Sequence, residues 1–359
     1  MKLCVYIFVI AQFFTIASAN NSVKLQQQFK AAYQSYKTSL NLNDLTQQKT
    51  AAEEAYELGR KLYGDTHINS AKLALNYVVT LHKLKEFKHS DELESFIAQI
   101  YKDTYGEESK ELIDLYYSFS KSIGWNDNSK RKRYLSEALD IADEAEEKSP
   151  LLAAATRLSI GKEYINLGSK KGKVVLKALD YLSNKFPKND TRVVEAKFWA
   201  GRYYLSFEKR NNAIEMLTSN LPIFDKIEGA THPLELATHA FLVQAYEGKR
   251  MPDEATKHTL AIGRMTPWDD SQEATPIYRV NPRYPLDMAR KGISGYVVFE
   301  FTITESGTID DVETIEYDGK AFIKEGKLAL KQWRFAPKFV DGKTVAAKKQ
   351  TVRLDFTLG

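Results

Sequence analysis

The sequence predicts two architectures in series: an α-α solenoid of helical hairpins, then a small α+β domain of order β-β-α-β. Three observations carry this. A short polar segment returns at Gly64, Gly106, Lys148, Lys188 and Gly229, at spacings of 40–42 residues. From Gly295 to Thr304 apolar residues alternate with polar ones. Between Phe322 and Trp333 the apolar positions recur at helical spacing instead. A fixed period near 40 signals stacked helix pairs, and period two signals a sheet with one buried face.

Each repeat start is followed by small and aromatic residues at matching places: Ala71, Ala74 and Tyr77; Gly161 and Tyr164; Ala200, Gly201 and Tyr204; Ala240 and Tyr246. A second helix follows in each repeat, as over 91–105 and 211–224. Residues 22–63 supply a degenerate first pair, so 20–265 should hold about six hairpins. One pair cannot bury its apolar face alone, which makes stacking obligatory. The repeats resemble the tetratricopeptide class, in the longer variety where Tyr63-Gly64-Asp65 and Tyr105-Gly106-Glu107 close second helices. That resemblance implies a concave face for a protein partner. Most of the 20 Tyr and 18 Phe fall at repeat positions and read as core. His67 and His232 occupy equivalent loop positions and read as turn or cap residues, because no partner ligand stands at helical spacing. Lys130–Arg133 reads as a solvated face at a helix start, with an acidic or lipid partner as the alternative.

In the C-terminal domain Val297, Phe299, Phe301 and Ile303 lie opposite Glu300, Thr302 and Thr304. Glu305–Thr308 forms a turn in which Gly307 can take positive φ, and 309–317 returns as the second strand. The helix runs through Phe322, Gly326, Ala329, Leu330 and Trp333, with Pro337 as its stop. Asp341-Gly342 makes another turn. Then Val352, Leu354, Phe356 and Leu358 alternate against Thr351, Arg353, Asp355 and Thr357. This last strand follows the helix, so one of its edges is open to an added foreign strand or to self-pairing.

The order Pro282-Arg283-Tyr284-Pro285, Gly292, Gly295, the Gly307 turn, Trp333-Arg334-Phe335-Ala336-Pro337 and Phe356-x-Leu358 resembles the C-terminal domain of the TonB family. The resemblance spans residues 276–358. It implies a protein of energy-coupled transport whose last strand, over 349–358, captures the N-terminal box peptide of an outer-membrane TonB-dependent receptor. By the same resemblance Asn281, where the family commonly has glutamine, touches that peptide. Tyr284, Pro285, Lys349, Thr351, Arg353, Asp355 and Thr357 complete the implied peptide-binding set, although Tyr284, Pro285, Trp333 and Phe335 have an ordinary reading as core and turn. Further partners implied are inner-membrane proton-driven motor proteins or another TonB, and a homodimer is possible through the last strand. The alternative function is an envelope scaffold whose small domain self-associates or caps the solenoid.

Leu3–Ala17 is an apolar run preceded by Lys2 and followed by Ala17-Ser18-Ala19, the pattern of a cleaved secretory signal over 1–19. A retained inner-membrane anchor is the alternative. Periplasmic localisation follows from the first reading. Cys4 is the only cysteine, which excludes disulfide frameworks and cysteine metal sites from the rest of the chain. Ten prolines leave no proline-rich spacer of the family's usual kind. Residues 266–281 read as a linker, and 282–359 as the second domain. Residues 276–359 carry 14 Lys and Arg against 11 Asp and Glu, a net +3 of the chain's +4. So small an excess in an exported chain points away from nucleic acid. No nucleophile elbow, phosphate loop or His-Glu-x-x-His pattern occurs, so no enzyme, cofactor or metal is expected.

Overall fold

A computed structural model describes residues 19–225, 233–265, 276–340 and 343–357. Residues 1–18 of the expected signal segment 1–19, the repeat start at Gly229 with His232, the linker residues 266–275 and the Asp341-Gly342 turn lie outside the described residues. The chain divides into two compact units, residues 1–160 and 161–359.

The first unit is built of antiparallel helices: α1 (Ala19–Leu42), α2 (Leu45–Tyr63), α3 (Ile68–Lys83), α4 (Phe87–Tyr105), α5 (Lys110–Ile123), α6 (Asn128–Glu144) and the start of α7 (Pro150–Asn166). Chain neighbours pack on one another, as the repeat demands. Short polar side chains open the helices. Asp44 accepts from Gln47 N–H at 3.0 Å, Ser109 from Leu112 N–H at 3.3 Å, and the His67 ring from Asn69 N–H at 3.1 Å. His67 is thus a helix cap, which satisfies one otherwise orphaned donor. Leu81, Ile97, Leu112, Phe119 and Leu135 are fully buried between the helix layers.

Inside that core lies a charged network. Glu94 is 2% exposed and accepts hydrogen bonds from Ser90 at 2.6 Å and Lys130 at 2.8 Å, and it also meets His82 and the Tyr134 hydroxyl. Lys130 reaches Asp91 as well, at 2.8 Å. Lys130 and Arg131 are 8% and 4% exposed, contrary to the solvated face expected of Lys130–Arg133. The first turn of α6 faces α4, one repeat back, where two carboxylates await it; Lys132 and Arg133 alone remain in solvent. Burial alone would push the Glu94 carboxyl up, but the hydrogen bonds from His82, Lys130, Ser90 and Tyr134 outweigh it and hold the group at about 2.

The second unit continues with α8 (Val174–Lys185), α9 (Thr191–Ser206), α10 (Arg210–Thr218), α11 (Leu221–Phe224), α12 (Pro233–Gly248) and α13 (Pro252–Met265). The single helix expected over 211–224 is broken. Pro222 has no N–H for the helical ladder, and the fully buried Asn220 instead donates its side-chain N–H to the Val194 carbonyl at 2.9 Å. Gly201 permits α9 and α10 to cross closely, since a Cβ there would stand 2.7 Å from Leu217 Cγ.

After the helices come β1 (Pro276–Tyr278), α14 (Leu286–Lys291), β2 (Gly295–Ile303), β3 (Ile309–Asp318), α15 (Lys320–Leu330), β4 (Arg334–Phe335), β5 (Lys338–Val340), β6 (Lys343–Val345) and β7 (Ala347–Phe356). The main sheet is antiparallel with order β3-β2-β7. Val297, Phe299, Phe301 and Ile303 of β2 pack with Phe322 and Leu330 of α15 and with Leu354 and Phe356 of β7. The helix stops earlier than Pro337. Trp333 N–H closes a turn on Leu330 O at 2.9 Å, and its indole N–H donates to Val280 O at 2.9 Å. Arg334–Phe335 then forms a strand with β1, a tertiary ladder that overrides the helical spacing.

That strand joins the small domain to the last helical hairpin. Arg334 pairs with Glu247 of α12 at 2.7 Å, the two side chains being 7% and 11% exposed. Beside them Ala336, Ile277 and Tyr278 pack on Val243, Ala255 and Ile262. The β2–β3 turn also seats on α13. Gly307 has φ +77°, and a Cβ would come 2.1 Å from Phe335 O and 2.7 Å from Thr259 Cγ2, so only glycine fits.

Two outcomes test these polar contacts. Glu94→Gln should cost roughly 3 kcal/mol in urea unfolding, because it leaves a buried lysine with poorer compensation. The carboxyl's lowered folded value means its stabilisation is full above the ordinary 4.5 and fades as pH falls toward about 2, a loss the variant should not share. Glu247→Ala should destabilise by roughly 3–5 kcal/mol, since it strands Arg334 without its counter-charge; a change below about 1 kcal/mol would deny the pair its role.

Candidate functional site

An antiparallel strand exchanges hydrogen bonds with a neighbour on each side, and its alternate N–H and C=O groups point to opposite neighbours. In the β3-β2-β7 sheet only β2 has both neighbours, so β3 and β7 each present an outer edge among the described residues. The two edges differ in regularity and charge.

The pairing of β3 with β2 shifts register twice, between Val298 and Phe299 and between Glu300 and Thr302, and Asp311 sits at φ +49°. This strand also carries Asp310, Asp311, Glu313, Glu316 and Asp318 with no basic residue. Bulges and charge are the devices that blunt an edge against strand addition. The pairing of β7 shifts only near its start, between Phe301 and Ile303, where Lys349 has φ +57°. From Gln350 to Phe356 its register with β2 runs without a break, Phe301↔Gln350 to Gly295↔Phe356. Seven regular residues on an outer edge suffice for a short peptide strand.

Side chains along β7 divide by face. Leu354 and Phe356 are buried in the domain core, and Val352 packs against it. Lys349, Thr351, Arg353 and Asp355 are exposed, and Thr357 is exposed just past the strand's end. Arg353 lies 3.6 Å over the Tyr296 ring and pairs with Asp355 at 2.9 Å. Neighbouring acids hold its guanidinium above the ordinary value, the Asp355 hydrogen bond foremost. The open face therefore offers a fixed planar cation beside a carboxylate and a hydroxyl, a pattern suited to polar side chains of an added strand.

The remaining residues named from the sequence fall outside the strand. Tyr284 packs edge-on against Phe322 and Phe356 and donates its hydroxyl to Ile293 O at 2.8 Å, so it braces the end of β7 from the core side. Pro285 stands at the N-terminus of α14. Asn281 is exposed in the loop after β1, next to the Val280 carbonyl that accepts from Trp333. The contacts of Arg334 with Glu247 and of Gly307 with Thr259 were not visible in the sequence reading. An arginine enclosed by Trp333 and Phe335 was the one available signal, since a buried cation needs a counter-charge.

No group of three or more His, Cys, Asp or Glu among the described residues is arranged to hold a metal ion. His239 and His258 do meet, Nδ1 to Nδ1 at 2.8 Å, with Tyr246 stacked on His258. Burial pushes both down, His258 to about 4, so near neutral pH one ring donates and the other accepts. No described helix is long and apolar enough to cross a membrane.

Residues 280–358 match the family model described as Gram-negative bacterial TonB protein C-terminal. Protein TonB of Pseudomonas aeruginosa is 34% identical over 88 residues, 24% of this chain and 25% of the relative. Protein TonB of Vibrio cholerae is 33% identical over 69 residues, 19% of this chain and 28% of the relative. The chain thus spans about a quarter of the length of these curated relatives. The solution NMR structure of the Pseudomonas aeruginosa TonB CTD aligns at 33% identity over 25% of this chain and 90% of its own, with a TM-score of 0.23. Residues 280–358 are similar to the C-terminal domain of TonB proteins, and the helical region lies outside that match.

Proposed function

We propose that this is a periplasmic, non-enzymatic TonB-family protein that engages outer-membrane TonB-dependent receptors in energy-coupled uptake of iron or another nutrient. The receptor's box peptide adds as a strand along the outer edge of β7. The helical hairpins take a protein partner or act as a spacer in place of a proline-rich segment. One observation carries the choice of site: β7 has an unbroken outer edge over Gln350–Phe356, while β3 is bulged and acidic. Main-chain pairing would supply the affinity, with Thr351, Arg353 and Asp355 setting side-chain preference on the open face. Asn281 and Tyr284 would act at the end of the strand, by the family resemblance.

The energy source is a separate matter. A retained apolar run in residues 1–19 would anchor the chain beside a proton-driven inner-membrane motor. With a cleaved signal there, the protein would depend on another transducer for its energy.

Disulfide trapping tests the edge assignment. In a Cys4→Ser background, single cysteines at Thr351, Arg353 or Asp355 should cross-link to a receptor box peptide carrying its own cysteine. Cysteines at Asp310, Glu313 or Glu316 on β3 should not. Trapping on β3 alone, or on neither strand, would falsify strand addition at β7; trapping of a second copy instead of peptide would identify a dimerisation edge.

A further inference from the structure

The α12–α13 hairpin carries a histidine pair that strand addition at β7 leaves without a role. His239 of α12 and His258 of α13 are 19 residues apart in the chain, and each turns its Nδ1 toward the other across the helix contact. Both rings are half-buried. Their planes are tilted by 58° with centroids 4.9 Å apart, so they meet through nitrogen atoms rather than by stacking. The Tyr246 ring lies nearly flat on His258, at 5.5 Å and 13°, and covers that side of the pair. Spacing along the chain could not reveal this meeting, because the two rings come from different helices.

A neutral N–H···N bond uses one nitrogen of each ring, and neither Nε2 has a hydrogen-bond partner among the described residues. The surroundings carry carboxylates that such a bond does not use. Asp225, at the end of α11, acts on His239, and Glu254 acts on His258. Glu254 stands four residues before His258 on α13, which puts both on one face of the helix, a turn apart. As placed it pairs with Lys257 at 2.6 Å, and no third His, Cys, Asp or Glu joins the two rings among the described residues. An exposed ion pair of that kind is worth little, so the carboxylate can turn to another cation. Lys257 is the opposing charge that acts on His258.

We propose that His239 and His258 bind a first-row divalent cation of the Cu²⁺ or Zn²⁺ class through their Nδ1 atoms, with water and the nearby carboxylates completing its shell. Imidazole suits these ions, whereas Mg²⁺ and Ca²⁺ prefer oxygen donors. The proton now shared between the rings passes to the donor ring's own Nε2 by exchange with water. Both rings then ligate as neutral imidazoles and no net proton is lost. Metal–nitrogen bonds of about 2.0–2.1 Å at a tetrahedral angle hold the two nitrogens about 3.4 Å apart. From 2.8 Å the rings part by about 0.6 Å, within reach of small side-chain rotations. The ion ties α12 to α13, the two helices that seat the small domain through Glu247 and Thr259. This site goes beyond receptor engagement and does not depend on it.

The test uses the full chain without an affinity tag, stripped of metal with a chelator. Calorimetric titration with Zn²⁺ or Cu²⁺ should show a site that Mg²⁺ does not fill, and saturating Zn²⁺ should raise Tm, an effect a chelator reverses. His239→Gln and His258→Gln should each weaken the binding by at least about tenfold, since removing even a group that supports a ligand costs about that much. His89→Gln, a change at an exposed histidine of α4, should leave it unaltered. Copper electron paramagnetic resonance of the unaltered chain keeps the test independent of how the variants fold; it should show coupling to two imidazole nitrogens. Absent binding, binding indifferent to both histidine changes (an adventitious ion only), or a copper spectrum without the two nitrogens overturns the proposal.

Discussion

A strand has two sides, and a three-stranded sheet leaves two of its six strand sides unpaired. In this domain β2 is satisfied on both sides, while β3 and β7 face outward. Everything near the sheet bears on which outward edge stays competent for pairing. The core side chains Leu354 and Phe356 hold β7 flat against β2 and α15, and Tyr284 braces its end. The bulges and five carboxylates of β3 make the other edge a poor template. An edge that is regular on one side of a small sheet and blunted on the other would direct strand addition to β7 without any deep pocket.

Burial of charge plays a second part, at the seams between packed elements. Glu94 with Lys130 and Arg334 with Glu247 each carry a full charge pair into apolar surroundings. Such pairs give little net stability relative to apolar residues of the same size, yet removing one partner is costly. At the Arg334 seam the pair sits beside the apolar contact of Ala336 with Val243 and Ala255, and burial pushes the Glu247 carboxyl up against the pull of the guanidinium. The small domain is consequently seated on the α12–α13 hairpin. A fragment cut at residue 270 would expose that seam, so binding experiments belong on the longer chain.

Much of this was legible in the residues. The return of Gly64 and Gly106 marked helix ends because both take φ above +90°, which only glycine does at no cost. Period two located β2 and β7, and the place of β7 after the helix, apart from the β2–β3 hairpin, indicated an open edge. Local pattern misled where a tertiary partner decided the outcome. Trp333 fits the helical face of Phe322 and Leu330, but its indole finds the Val280 carbonyl and the chain turns into β4. Lys130 looked like one of four solvated cations until α4 supplied Glu94, 36 residues away. The break at Asn220 depended on a carbonyl of a neighbouring helix. Spacing within a segment says which face is apolar; it does not say which distant carboxylate or carbonyl that face will meet.

The most direct measurement is amide hydrogen exchange across the C-terminal domain of the full chain, with and without a receptor box peptide. Strand addition at β7 predicts new protection at alternate amides between Gln350 and Phe356, those whose N–H groups face away from β2, with Ile309–Asp318 unchanged. Protection appearing along β3, or no change in β7 at saturating peptide, would contradict the account.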